Sequence, residues 1–280
     1  MSMTPAQFEI VRRFGFKELG ITLEDGKEYL VESRLRPVLK QLSLDMDALT
    51  RQLSSVYGPE LRDAMVDALT INETSFFRDT HPFTALRESI IPELMKDRAG
   101  TRRLRILSAA SSTGQEAYSI AMLVREHFPQ LIHSWDFKIL GGDISDEALA
   151  KARRGQYSQM EVNRGLPVQL LVKYFTQDGP MWRISEDLKS MVEFRKMNIT
   201  TPWLGWPSVD VVMCRNVLIY FDLPTRENVL REANKVLADD GFLFLGASET
   251  LLSLDTQFDM WKTGNTRCYR HKAGVGARRA

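Results

Sequence analysis

The chain has 280 residues, enough to bury a substantial core in one large domain or two smaller ones. Hydrophobic residues make up 44% and charged residues 26%, as in an ordinary globular protein, and the net charge of +1 excludes a global pull toward nucleic acid or a membrane surface. Residues 1–80 hold 10 Lys+Arg against 13 Asp+Glu (−3) and the remainder 27 against 23 (+4), so electrostatic recognition requires a local patch.

Residues 4–70 read as helices. In KEYLVESRLRPVLKQL, apolar residues at Val31, Leu35, Val38, Leu39 and Leu42 fall at helical spacing, and Pro37 within that pattern predicts a kink. Leu44, Leu49 and Leu53, then Leu61, Met65 and Leu69, predict two more helices, with GPE at 58–60 between them. A further helix opens at His81-Pro82. From residue 100 strands and helices alternate. LRILSAAS (104–111), WDFKILGGDIS (135–145), MVEFRKMNI (191–199), VDVVMCRN (209–216), GFLFLGAS (241–248) and TRCYRH (266–271) read as strands. Helices are predicted over 113–128, 146–155 and 223–241. This alternation predicts a parallel sheet covered by helices on both faces. Residues 156–195 break it and read as a partly β insert, with a helical piece around LPVQLLVKYF and turn signals in DGPMWRIS. The expected divisions are a helical domain over 1–80, a linker over 81–100, an α/β domain over 101–272 and a disordered tail over 273–280.

Cys214 and Cys268 lie in apolar, strand-like text and are expected to be reduced core residues. The start MSMTPAQFEI lacks the basic opening and apolar run of a signal peptide, and no segment approaches the ~20 apolar residues of a membrane span. A cytoplasmic protein without direct membrane insertion is expected.

In an open α/β sheet, ligands bind at the carboxyl ends of the strands. Three strand ends carry chemistry here. SAASSTGQE (108–116) offers small residues and a helix N-terminus. It is not a dinucleotide fingerprint, because Gly114 is its single glycine, and a plain strand-to-helix turn is an equal reading. Asp143 ends the second strand, where a carboxylate can accept two ribose hydroxyls or cap the next helix. Arg215 and Asn216 follow an apolar strand, a placement suited to a site or to a solvated strand end, and Tyr220 nearby could be core. Between the domains, NETSFFRD (72–79) packs hydroxyls, an amide, two phenyl rings and an arginine into eight residues. It reads either as a site wall or as a helix end capped by Thr74 with two core phenylalanines. The four histidines, His81, His127, His133 and His271, show neither metal-ligand spacing nor a cysteine partner, so neither a metal site nor imidazole base catalysis is expected.

Together NETSFFRD, SAASSTGQEAYSIAM, GGDIS, ALAKARRGQY and CRNVLIYFD resemble the chemotaxis receptor glutamate methyltransferases (CheR), and LGITLEDGKEYLVESRLRP resembles that family's helical domain. The likeness runs in order over about residues 5–271. It implies an all-helical N-terminal domain joined to a Rossmann-like, S-adenosylmethionine-dependent methyltransferase domain with a small β insert. It implies methyl esterification of receptor glutamates, with S-adenosylhomocysteine as product and no metal. Carried over by position, Asn72, Thr74, Arg78, Glu116, Asp143, Asn198, Ile199, Arg215 and Asn216 would hold the cofactor. Arg78 and Tyr220 would sit nearest the transferred methyl, in orienting roles, with Phe76, Phe77 and Trp203 as a dry wall. Arg34, Arg36 and Lys40 would meet the cytoplasmic helices of chemoreceptors. Regulatory protein partners, no nucleic acid and a monomeric state are expected. The short loop in YFTQDGPMWRIS points to an enzyme that does not need a receptor-tail pentapeptide. A methyltransferase with another acceptor and a cofactor-binding adaptor are the alternatives.

Overall fold

The computed structural model describes residues 3–272 apart from 252–253, 255–256 and 265; the tail expected over 273–280 lies outside the described residues. Helix α1 (Pro5–Leu19) starts at a capping box, in which the Thr4 hydroxyl accepts the Gln7 N–H and the Gln7 side chain accepts the Thr4 N–H. Helices α2 (Glu28–Gln41), α3 (Met46–Leu53) and α4 (Pro59–Leu69) follow. α2 runs through Pro37 as one helix and turns Val31, Leu35 and Val38 inward. They meet Phe8, Val11, Leu49 and Met65 in a core of their own.

The stretch 81–100 is not an open linker. α5 (His81–Ala85), a π turn (Leu86–Ile90) and α6 (Ile91–Asp97) form a continuous helical run. Its Phe83, Leu86, Ile90 and Leu94 are buried in the core of the following domain. That domain continues through β1 (Arg103–Ala109), α7 (Gln115–His127), α8 (Pro129–Ser134), β2 (Asp136–Asp143) and α9 (Asp146–Arg154). The insert comprises β3 (Gln156–Ser158), α10 (Gln159–Asn163), α11 (Val168–Tyr174), β4 (Phe175–Asp178), β5 (Met181–Ile184) and α12 (Glu186–Lys189). Its strands form a separate antiparallel sheet in the order β3-β5-β4, with Gly179-Pro180 as the two-residue turn between β4 and β5. The chain then re-enters the main sheet with β6 (Val192–Lys196), so the insert closes before Val192 and not at 195.

The main sheet is completed by β7 (Val209–Cys214), α13 (Leu223–Val236), β8 (Leu237–Phe244), β9 (Phe258–Thr263) and β10 (Thr266–His271). Its order is β6-β2-β1-β7-β8-β10-β9, parallel except for β10, which runs antiparallel to both of its neighbours. Alternate residues feed alternate faces. Ile106, Val211, Met213 and Phe242 join one core, and Leu107, Val212, Cys214 and Leu243 the other. α13 stops at Val236 and not at Gly241 as expected. Leu237 pairs with Val209, a bulge follows, and Asp240 accepts a 2.7 Å hydrogen bond from Arg98. β1 lies between β2 and β7, so the strand order reverses there and the crevice opens above their carboxyl ends.

Candidate active site

A cleft of about 230 Å³ opens at that switch point. Its floor is the ends of β1, β2, β6 and β7, through Ala110–Ser112, Asp143, Met197, Ile199 and Arg215–Val217. Its other wall comes from the helical domain and the connection after α4: Leu19, Ile21, Leu23, Val31, Arg34 and Asn72 among others. The site is therefore built by both domains.

The turn after β1 is tightly constrained. Ala110 and Ser112 take left-handed φ of 59° and 51°, and Gly114 takes 93°. A Cβ on Gly114 would come within 2.9 Å of the Ala152 Cβ and 3.0 Å of the Phe194 ring, so only glycine fits. The Ser112 N–H donates to Asp143 Oδ2 at 2.7 Å and the Ser145 N–H to Oδ1 at 3.0 Å. Asp143 is not the cap of α9; that role belongs to Ser145, whose hydroxyl accepts the Ala148 N–H. Burial pushes the Asp143 carboxyl up, against the lowering effect of the N–H groups of Ser145, Ser112 and Ile144.

Arg215 is the structural hub. Its side chain is 2% exposed and donates to Glu116 Oε2 at 2.7 Å, to the Arg78 carbonyl at 2.8 Å and to Asp79 Oδ2 at 2.8 Å. Glu116 Oε1 accepts the Ser108 hydroxyl at 2.8 Å. Arg215 thus spans β7, α7 and NETSFFRD. That loop needs fastening, because Phe77, Asp79 and Thr80 all take positive φ (46°, 64° and 32°). Arg78 faces the cleft and donates to the Glu73 carbonyl at 3.1 Å. Asn72 and Thr74 also line it, and the Asn72 carbonyl accepts the Ser112 hydroxyl at 3.0 Å. Tyr220 is half-buried on the cleft, so it is not plain core; its carbonyl accepts the Thr22 N–H at 3.0 Å while Phe221 bridges to Ile21.

Two expectations are corrected. Phe76 and Phe77 form no cleft wall. Phe76 is fully buried, edge-on to Tyr157 at 5.1 Å and to Phe175 at 5.6 Å, and Phe77 packs on Phe83 at 5.2 Å. Trp203 is also off the cleft, buried, with its indole N–H on the Ile199 carbonyl at 3.0 Å. The apolar wall is Ile21, Leu23, Val217 and Phe221 instead. A Phe76→Leu variant is expected to lose about 1–2 kcal/mol of stability while its S-adenosylmethionine affinity, read by calorimetry, stays within about threefold of wild type; a wall residue would show the reverse. Second, Ile199 lines the cleft but the Asn198 side chain does not: its amide donates to the Glu18 carbonyl at 2.9 Å and accepts the Thr200 N–H at 3.0 Å. Arg34, Arg36 and Lys40 divide between two sides of α2. Arg34 lines the cleft and donates to the Leu69 carbonyl at 3.3 Å, whereas Arg36 pairs with Glu32 on the exposed side and Lys40 is exposed. Cys214 and Cys268 are unbridged and buried, and burial pushes both thiols up, Cys268 to about 12.

The donor set suits S-adenosylmethionine. Ser111 Oγ and Arg215 Nε are buried without a hydrogen-bond partner among the described residues, and both residues line the cleft. Asp143 has lone pairs left for a diol, Asn72 and Asn216 offer amides, and Ile144, Met197 and Ile199 give an apolar face for a base. SAASSTGQE contains Ser111, but nothing in the sequence separates that serine from its neighbours or marks the Ile21–Leu23 strip, because small and apolar residues in loops carry no periodic signal.

Residues 72–266 match the family described as CheR methyltransferase, SAM binding domain, and residues 6–70 match CheR methyltransferase, all-alpha domain. Among similar proteins, Chemotaxis protein methyltransferase 1 of Pseudomonas aeruginosa is 38% identical over 278 residues, covering 97% of this chain and 100% of that protein. Chemotaxis protein methyltransferase of Vibrio parahaemolyticus is 37% identical over 97% of this chain and 99% of its own. That of Salmonella typhimurium is 34% identical over 93% of this chain and 89% of its own.

Proposed function

The chain belongs to the CheR methyltransferase family, and from that premise we propose that it methylates glutamate side chains on the cytoplasmic helices of chemoreceptors, giving methyl esters. The observation that carries this reading is a single cleft, walled by both domains, that holds Asp143, Glu116, Arg78 and Tyr220 together. S-adenosylmethionine held there would supply a methyl group on a sulfonium for transfer to the carboxylate oxygen, leaving S-adenosylhomocysteine.

Asp143 would hold the ribose, with Asn72, Thr74, Glu116 and Asn216 around the remaining polar groups and Ile199 against the base. Arg215 would shape the pocket from beneath. The acceptor has an unperturbed pKa of about 4.3, so at neutral pH it arrives as an anion and needs no base. An anion and a cation neutralise each other in the transition state, and excluding water favours that loss of charge. Ile21, Leu23, Val217 and Phe221 can exclude it. Placement is the remaining task, worth roughly 7–11 kcal/mol in favourable cases. Arg78 and Tyr220 would orient the acceptor carboxylate, and Arg34 on the same cleft can guide it in. Arg36 and Lys40, one helical turn apart on the exposed side of α2, would meet the receptor helix. The two-residue turn Gly179-Pro180 supports independence from a receptor-tail pentapeptide.

Peptide mapping of a receptor fragment after incubation should find one added methylene on glutamates; addition at another residue type would refute the acceptor. A Tyr220→Phe variant should lose modest rate with an unchanged pH profile. A loss of about 1,000-fold or more with a new pH dependence would instead indicate proton transfer.

A further inference from the structure

The segment that follows β7 carries Asn216 and Tyr220 into the cleft, yet it has little regular structure to fix them. Asn216 sits at a left-handed φ of 58°, and Tyr220 rides on a single 3-10 turn, Leu218–Tyr220. Backbone N–H groups in such a segment need partners from elsewhere. One side chain provides them. Glu249, 7% exposed, accepts the Asn216 N–H at 2.8 Å and the Gly246 N–H at 2.6 Å on Oε2, and the Ile219 N–H at 3.3 Å on Oε1. A single carboxylate therefore ties the end of β8 to the start of the segment and to the turn that bears the tyrosine. The approach is close: a Cβ on Gly246 would stand 2.6 Å from Asn216 Nδ2, 2.8 Å from the Asn216 N and 2.8 Å from Glu249 Oε2. Glu249 is not on the cleft wall; it lies behind it, beside a smaller cavity shared with His81 and Arg267.

We propose that Glu249 is a positioning residue for methyl transfer, setting the placement of Asn216 and Tyr220 through their backbone without touching either substrate. The inference rests on the function proposed above. Glu249→Gln keeps the shape but turns an NH2 toward an N–H that needs an acceptor. It is expected to lower kcat for receptor methylation by about 10- to 100-fold, the scale of a misplacement of about 1 Å. Because the effect passes through the tyrosine segment, the same substitution in a Tyr220→Phe background should cost less, by about threefold or more. Glu249→Asp, which keeps the charge but shortens the reach, should show the same pattern with a smaller loss, and it serves if Glu249→Gln does not fold. An equal factor in both backgrounds, or an unchanged kcat, would overturn the proposal.

Amide exchange supplies a second reading that needs no acceptor. In the Glu249 variant the amides of Asn216 and Ile219 should exchange about tenfold faster or more, with Val212 in β7 unchanged. Unchanged exchange at Asn216 and Ile219 would sink the inference. Should wild-type protein label no receptor, the proposed acceptor falls, and the exchange comparison still decides the role of Glu249.

Discussion

Arg215→Ala is expected to lower the unfolding free energy by about 3–5 kcal/mol and to abolish cofactor binding, because it strands the mostly buried Glu116 carboxylate and frees a strained loop. Among the described residues Glu116 would keep only the Ser108 hydroxyl, and the Arg78 carbonyl and Asp79 would lose their guanidinium. Three left-handed residues in the Phe77–Thr80 stretch would then relax and take Arg78 off the cleft. Arg215→Lys restores the charge but not the fork, so it should recover part of the stability and little of the binding. Denaturant titration and calorimetry with S-adenosylmethionine separate the two effects. A variant of wild-type stability would show that the hub is dispensable.

The second large effect concerns Asp143. Asp143→Ala should weaken S-adenosylmethionine binding by roughly 100-fold or more, since each hydrogen bond to a charged acceptor is worth about 1.5–3 kcal/mol. The wild-type affinity should also depend on pH in a displaced range. Burial raises this carboxyl above its ordinary value of 3.8. A folded-state pKa above the unfolded one means that this group adds stability as pH falls and costs stability once it is ionised. Cofactor binding runs the other way, because a ribose diol needs the ionised acceptor. Acidification should therefore weaken binding at a pH above the normal aspartate range, while this group itself does not weaken the fold. Calorimetry across that range should show the dependence in wild type and its loss in Asp143→Asn. Equal pH profiles would remove Asp143 from the ribose.

Much of this site could be read before folding was considered. Asp143, Arg215 and Asn216 stand at or just after strand ends, and strands reveal themselves by apolar runs, so the carboxyl edge of the sheet is visible in the sequence. NETSFFRD was visible as an unusual loop, but which of its side chains turn inward was not. Two adjacent phenylalanines in an irregular segment have no period, and only the insert's Tyr157 and Phe175 decide that Phe76 is core. No local pattern reveals that the Asn198 side chain turns away from the cleft, because its partner, the Glu18 carbonyl, belongs to the other domain. On α2 the helical period puts Arg34 and Arg36, two residues apart, on different sides of the helix, so Arg34 lines the cleft and Arg36 pairs with Glu32 outside it. β9 escaped because Phe258–Thr263 lacks clean alternation and is defined by its antiparallel partner β10. The helix expected to open at His81-Pro82 is present, but its place in the core is not visible in the sequence: its charged residues mimic a linker, while Phe83, Leu86, Ile90 and Leu94 carry the burial. What the sequence withheld is tertiary: which loop meets which domain.

We propose that this cleft esterifies a receptor carboxylate. The most direct measurement incubates the purified protein with methyl-labelled S-adenosylmethionine and chemoreceptor-containing membranes, then treats the labelled receptor with mild alkali. Label released as methanol is the predicted result, since a glutamate methyl ester hydrolyses under base. Receptor label that survives alkali, or cofactor binding with no label transferred, would rule out esterification of receptor carboxylates by this cleft.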